Sequence, residues 1–168
     1  MVPNSVLFVC LGNICRSPLA EGIFRHLLSQ GERPDACLID SAGTGGWHVG
    51  NPPDERAIEV AARHGVDIAH LKARRVAAAD FTRFDLILAL DRSNLQALQE
   101  RAPSGGRARL ELFSAHAFGT VEDVPDPYHG GLAEFEAVYR MLYRGCALIA
   151  GASMVGPDSN SGKTSSIT

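Results

Sequence analysis

Val6-Leu7-Phe8-Val9-Cys10-Leu11-Gly12-Asn13-Ile14-Cys15-Arg16-Ser17-Pro18 is the stretch on which the reading of this chain turns. Its apolar first part reads as a strand, Ser5 to Cys10, without the alternation of a half-exposed strand, so it is expected to be covered on both faces. A loop holding Gly12 and Asn13 follows, and Ser17 and Pro18 then open a helical pattern. Pro lacks the N–H that a first helical turn leaves unpaired, and Ser is a good cap. Backbone N–H groups of a loop at a helix start carry the positive end of the helix dipole and form a cradle for an anion. Cys10 is expected to face that cradle, where the dipoles and Arg16 favour a thiolate. Arg16 offers a planar fork that matches two phosphate oxygens, which Lys does not. Cysteine, five residues and arginine in this setting suit nucleophilic attack on phosphorus.

Working outward, Leu19, Ala20, Ile23, Phe24, Leu27 and Leu28 recur at helical spacing between Pro18 and Gln30, and Gly31 ends the run. Ala36 to Ser41 reads as a second strand that runs into the glycine-rich turn Ala42 to Trp47. Pro52-Pro53-Asp54 starts a helix with Ala57, Ile58, Ala61 and Ala62 inward and Gly65 as its stop. A short helix over Val76 to Phe81, a strand over Phe84 to Leu90, a helix capped at Asp91 and running to Arg101, and a strand over Arg109 to Phe113 follow. Ala117 to Gly131 reads as irregular, and Leu132 to Ala150 as a last helix with Phe135, Val138, Leu142, Cys146 and Ile149 inward. Strands alternating with helices imply an α/β fold: a four-stranded parallel sheet with helices on both faces, a flavodoxin-like three-layer sandwich. Ligands bind such sheets at the carboxyl ends of the strands, where Cys10, Ser41 and Asp91 converge.

With 168 residues, 45% of them hydrophobic and 21% charged, the chain is expected to form one domain. A net charge of −3 argues against a nucleic-acid surface as the main function. No run approaches membrane-spanning length and no signal-peptide pattern opens the chain, so a cytoplasmic protein is expected. Cys37 and Cys146 read as small buried hydrophobes. Cys10 and Cys15 lie on one curled loop that can bring them to the separation a disulfide needs, about 4.4–6.8 Å between Cα atoms, which suggests reversible oxidation. No pair of cysteines has zinc-ligand spacing, so no metal is expected. Gly156 to Thr164 ends in Gly-Lys-Thr, but five residues separate its glycines where a nucleotide loop has four, and a polar tail over 154–168 is the better reading.

Cys10-Leu11-Gly12-Asn13-Ile14-Cys15-Arg16-Ser17-Pro18 resembles the signature loop of the low-molecular-weight protein tyrosine phosphatases. The resemblance implies a phosphatase domain over 1–153 that hydrolyses phosphotyrosine proteins and small aryl phosphates through a phosphocysteine. It implies no cofactor, phosphate as product, and a monomer or weak dimer. Val124-Pro125-Asp126-Pro127-Tyr128 matches the family's general-acid loop, so Cys10, Arg16 and Asp126 are the implied catalytic residues. Leu11, Gly12, Asn13, Ile14, Cys15 and Ser17 would surround the phosphate, with the Ser17 hydroxyl directed at the Cys10 sulfur. Asn13 tolerates left-handed backbone; in the family an asparagine here braces the loop, and Ser41 and His70 match its partners. Asp91 is a helix cap and a brace for the site. Trp47 and Tyr128 would wall an aromatic slot, beside His129, where a second tyrosine is common in the family; that departure bears on substrate preference.

The sequence argues against three further readings. An arsenate reductase on this fold needs another cysteine pair for its disulfide relay. An arginine phosphatase carries threonine where this chain has Ile14. A redox-sensing, anion-binding module would have no use for Asp126.

Overall fold

The run after Asn4, apolar from Val6 onward, is buried at every position and forms β1 (Ser5–Cys10). In the computed structural model, which describes residues 2–152, β1 lies inside a parallel sheet of order β2-β1-β3-β4. β2 is Leu38–Gly43, β3 Leu86–Ala89 and β4 Arg109–Leu112. Val6 pairs with Ile39 on one side and with Leu86 on the other. Alternate residues of β1 serve different cores, which is why none of them is polar after Ser5. Val6, Phe8 and Cys10 pack with Leu19, Ile23, Phe24, Phe113, Phe135 and Leu142 from α1 (Arg16–Ser29), α5 (Phe113–Phe118) and α6 (Leu132–Ala150). α2 (Glu55–Arg63) joins that layer through Ala57, Val60 and Ala61. Leu7 and Val9 pack with Phe81 of α3 (Asp80–Arg83), Phe84 and Leu98 of α4 (Arg92–Arg101) on the opposite face.

After β1 the chain crosses to β2 on one side and then to β3 on the other, so the crevice between the ends of β1 and β3 is the switch point where ligands bind such sheets. Cys10 ends one strand and Asp91 follows the other.

Several boundaries differ from the sequence reading. β2 starts at Leu38 rather than Ala36, because pairing with β1 begins at Ser5↔Leu38, while the Ala36 N–H turns back onto the Arg33 carbonyl. α3 starts at Asp80 rather than Val76: its carboxylate accepts the Ala77 N–H and two contacts from Arg74, which holds the preceding residues in a turn. α2 turns Val60 inward and leaves Ala62 exposed and Ile58 half-buried, as the i, i+3, i+4 phase from Ala57 requires. β4 stops at Leu112, and a helix replaces the expected strand end and loop. Phe113 there fits against Gly145 of α6, where a Cβ would lie 2.4 Å from its ring. Cys37 is half-buried, whereas Cys146 is fully buried as expected. The expected tail over 154–168 lies outside the described residues.

Candidate active site

The loop between β1 and α1 is shaped by where its carbonyls go. Cys10 O accepts from Thr44 N (2.9 Å), Leu11 O from Gly45 N (2.8 Å) and Ile14 O from Asp54 N (2.8 Å). With these acceptors turned toward residues 44–54, the N–H groups of residues 11–15 meet no backbone acceptor among the described residues. That is the donor array an anion needs. Asn13 makes the curl with φ 56°, the only positive φ at a non-glycine among the described residues. Gly43 lets the end of β2 pass beneath it: a Cβ there would sit 2.8 Å from Leu11 O.

A directed chain of hydrogen bonds runs under the loop. Asn13 Nδ2 donates to Ser17 Oγ (2.7 Å) and to Ser41 Oγ (3.0 Å), and Ser41 donates onward to Glu21 Oε1 (2.7 Å). Asn13 Oδ1 accepts from Arg74 N (3.0 Å), which fixes the amide's orientation. Because Ser17 Oγ receives the Asn13 proton, its own proton can go to Cys10 Sγ, 3.0 Å away, with the Ala42 carbonyl at 3.5 Å as the more distant acceptor. Ser17 is therefore not the cap of α1. It lies inside the first turn, fully buried, and Cys15 occupies the cap position without a side-chain bond.

The structure separates His70 from this network. Its side chain is 66% exposed and stands 4.0 Å from Asp67. Glu21 stands at the end of the chain instead, paired at 2.7 Å with Arg25. Glu21 lies one helical turn after Ser17, a spacing visible in the sequence, but only β2 brings Ser41 to it.

Arg16 is buried to 3% exposure. Its Nη1 donates to Asp91 Oδ2 (2.7 Å) and Val124 O (3.0 Å), and its Nη2 is 3.6 Å from Asp126 Oδ2. Burial acts to lower the guanidinium pKa, but the Cys10 and Asp91 charges outweigh it and the net shift is upward. Both Nη1 protons are taken by protein, which leaves the Nε and Nη2 edge as the fork for a ligand. Asp91 also caps α4 by accepting Asn94 N at 2.7 Å, so it is cap and brace together.

Asp126 hangs over the cleft with its Oδ1 accepting Tyr128 N (3.1 Å). Its loop is held from both ends. Val124 N donates to Leu90 O (2.9 Å), and Arg56 donates to Tyr128 O (2.9 Å) and Gly130 O (2.6 Å). The same guanidinium pairs with Asp54 at 2.9 Å and lies 4.5 Å from the Phe135 ring centroid. Arg56 was missed in the sequence, where its only legible neighbour was Asp54. The distant carbonyls it holds leave no local signal.

Cys10, Leu11, Gly12, Ile14, Cys15, Arg16 and Asp126 meet Trp47, His48, Tyr128 and His129 around one cleft of about 260 Å³. His48 was not anticipated; it follows Trp47 and approaches the loop where Gly12 leaves room, 3.1 Å from the position of a Cβ. Tyr128 and His129 meet edge to face at 5.1 Å between centroids. Cys15 is buried, and burial first, then the Asp54, Cys10 and Asp126 charges, push its thiol pKa far up. No group of three or more metal-ligating side chains is present among the described residues.

Comparison with known proteins finds relatives of this chain. The family model described as low molecular weight phosphotyrosine protein phosphatase matches residues 5–155. A protein of that description from Schizosaccharomyces pombe is 48% identical over 139 residues, covering 82% of this chain and 88% of the relative. One from Sus scrofa is 44% identical over 147 residues, covering 86% and 92%. The crystal structure of YfkJ from Bacillus subtilis superposes with a TM-score of 0.80 at 38% identity, covering 90% of this chain and 94% of that one.

Proposed function

The chain belongs to the low molecular weight phosphotyrosine protein phosphatase family and is a cysteine-dependent protein-tyrosine phosphatase, and from that premise we propose how its own residues carry the reaction. Cys10 Sγ attacks the phosphorus of a phosphotyrosine or small aryl phosphate. The P–O bond to the ring breaks as the P–S bond forms, and Asp126 gives its proton to the departing phenol oxygen. Water then attacks phosphorus, Asp126 takes its proton, the P–S bond breaks and phosphate leaves with Cys10 restored as thiolate. Arg16 holds two phosphate oxygens through its Nε and Nη2 edge, and the N–H groups of residues 11–15 hold the rest. The Ser17 proton, directed by Asn13, Ser41 and Glu21, stabilises the sulfur both as attacker and as leaving group. Trp47 and Tyr128 bracket the phenyl ring, and a phosphoserine is too short to reach the cradle between them.

The reading includes residues 1–153 as the catalytic domain, no cofactor, a monomer or weak dimer, and a cytoplasmic setting. No helix among the described residues is long and apolar enough to cross a membrane. The observation that carries the proposal is the single cleft in which Cys10, Arg16 and Asp126 meet.

Hydrolysis of a phosphotyrosine peptide beside phosphoserine and phosphoarginine peptides tests it. The wild type should turn over the first and leave the others nearly untouched. Cys10→Ser should lose turnover while keeping its circular dichroism, because a serine hydroxyl is not ionised at neutral pH. Appreciable turnover by that variant would remove the phosphocysteine, and equal use of phosphoarginine would reassign the substrate.

A further inference from the structure

Beside the catalytic cleft lies a second groove of about 410 Å³, and Leu11 and Trp47 wall both. Its other borders are Thr44, Gly45, Arg75 and Arg101. Arg101 Nη1 donates to the Thr44 carbonyl at 2.6 Å, which sets the guanidinium against the groove and leaves its Nε and Nη2 protons unassigned. The Arg75 stem passes along Gly46, where a Cβ would lie 3.6 Å from its Cδ.

These two arginines differ from their neighbour. Arg74 is saturated by Asp40 and Asp80, both at 3.0 Å. Among the described residues no carboxylate lies within ion-pair distance of Arg75 or Arg101. Two guanidiniums in one groove with no carboxylate partner among the described residues, on a chain of net charge −3, are a local reversal of sign. The groove also has a fixed relation to the chemistry. Since Leu11 and Trp47 border both cleft and groove, the backbone of a phosphotyrosine seated on Arg16 would leave the cleft at their rim, and as an extended chain advances about 3.3 Å per residue, a side chain one or two residues away would reach the second groove.

We propose that this groove is a substrate subsite for an acidic side chain flanking the phosphotyrosine, with Arg75 and Arg101 as the residues that set the preference. The proposal deepens the reading of the active site and rests on it. The ligand is a carboxylate on the same polypeptide as the phosphotyrosine. The groove adds nothing to the chemical step, so it acts on capture of the substrate and not on small aryl phosphates, which carry no flanking residue.

The experiment is kcat/KM for phosphotyrosine peptides that carry Glu or Gln, in matched pairs, at each of the two positions on either side of the phosphotyrosine. At one of these positions the wild type should favour Glu by about threefold to tenfold in low salt, the range expected of two partly exposed ion pairs. The preference should shrink as salt shortens the screening length to a few ångströms, about 3 Å at 1 M. Arg75→Gln and Arg101→Gln should each reduce it and together abolish it, with kcat/KM on an aryl phosphate unchanged. Since Arg101 also holds the Thr44 carbonyl, Arg75→Glu provides an independent arm: it should reverse the preference toward a peptide with Lys at that position. A wild type indifferent to Glu at all four positions overturns the subsite, as does a preference that survives both Gln variants and does not reverse in Arg75→Glu. A wild type inactive on the aryl phosphate would instead overturn the underlying reading of the cleft.

Discussion

Cys10 and Cys15 share one loop, yet their surroundings give them different chemistry. Cys10 meets the Ser17 hydroxyl and the buried Arg16, whereas burial first, and then the Asp54 and Cys10 charges, push the Cys15 thiol pKa upward. Cys15 is therefore not the first thiol an oxidant reaches. Peroxide should convert the Cys10 thiolate to a sulfenic acid, which removes a charge that helps hold the Cys15 proton, and attack by the Cys15 sulfur as that proton leaves should form the disulfide and release water. Inactivation of the wild type should be reversed largely by a thiol reductant, and the peptide spanning both cysteines should lose two hydrogens by mass. Cys15→Ser should keep most basal activity and recover far less. Equal recovery without a bridge would make Cys15 a packing residue. At the same scale Arg16→Lys keeps the charge but loses the fork, so the bonds to Asp91 and Val124 and the grip on two phosphate oxygens cannot coexist. Its kcat/KM on aryl phosphates should fall severely.

Two elements position Asp126, the acid of the proposed mechanism: the loop that carries it and the start of α2 that anchors that loop through Asp54 and Arg56. Asp126→Asn should slow substrates with poor leaving groups by about 10²–10⁴-fold and affect good leaving groups much less. A uniform loss across a leaving-group series would reassign Asp126 to structure. Asp54 caps α2 through Arg56 N and is held below the usual carboxylate range, chiefly by its hydrogen bonds from Arg56, against an opposing effect of burial. A folded pKa below the unfolded value contributes stability that is present above about pH 4 and is lost as pH falls through the folded pKa. Asp54→Asn keeps a cap acceptor of equal quality but loses the charge that faces Arg56, so it should lose up to about 1 kcal/mol at neutral pH and show a shallower decline than the wild type between pH 5 and pH 2 in denaturant titrations. Parallel declines would mean that Asp54 is not the acid-sensitive tie.

For the molecule as a whole, α6 completes the larger core and ends in a left-handed cap at Gly151 (φ 66°). A chain ended at Ala152 should keep its Tm within about 3 °C, about the shift that 1 kcal/mol makes in a domain of this size, and keep its kcat/KM on aryl phosphates. A larger drop would extend the catalytic domain beyond 1–153. Sequence by itself determined the layered α/β plan, since the burial of β1 on both faces demands an apolar residue at nearly every position and leaves that demand written in the chain. It also put Cys10, Arg16 and Ser17 on one short loop, because the five residues between Cys10 and Arg16 fix their mutual reach, while only the resemblance of residues 124–128 pointed to Asp126. Tertiary structure alone decided which polar groups meet across elements. Glu21 rather than His70 ends the brace because β2 carries Ser41 past α1. Arg56 holds the acid loop because α2 and α6 pack side by side, and Ser17 gave up its cap because the buried sulfur and Asn13 claimed its hydroxyl. Local pattern records what a residue must bury, whereas the partner of a buried polar group is chosen by chain segments far apart in sequence, and no spacing encodes it.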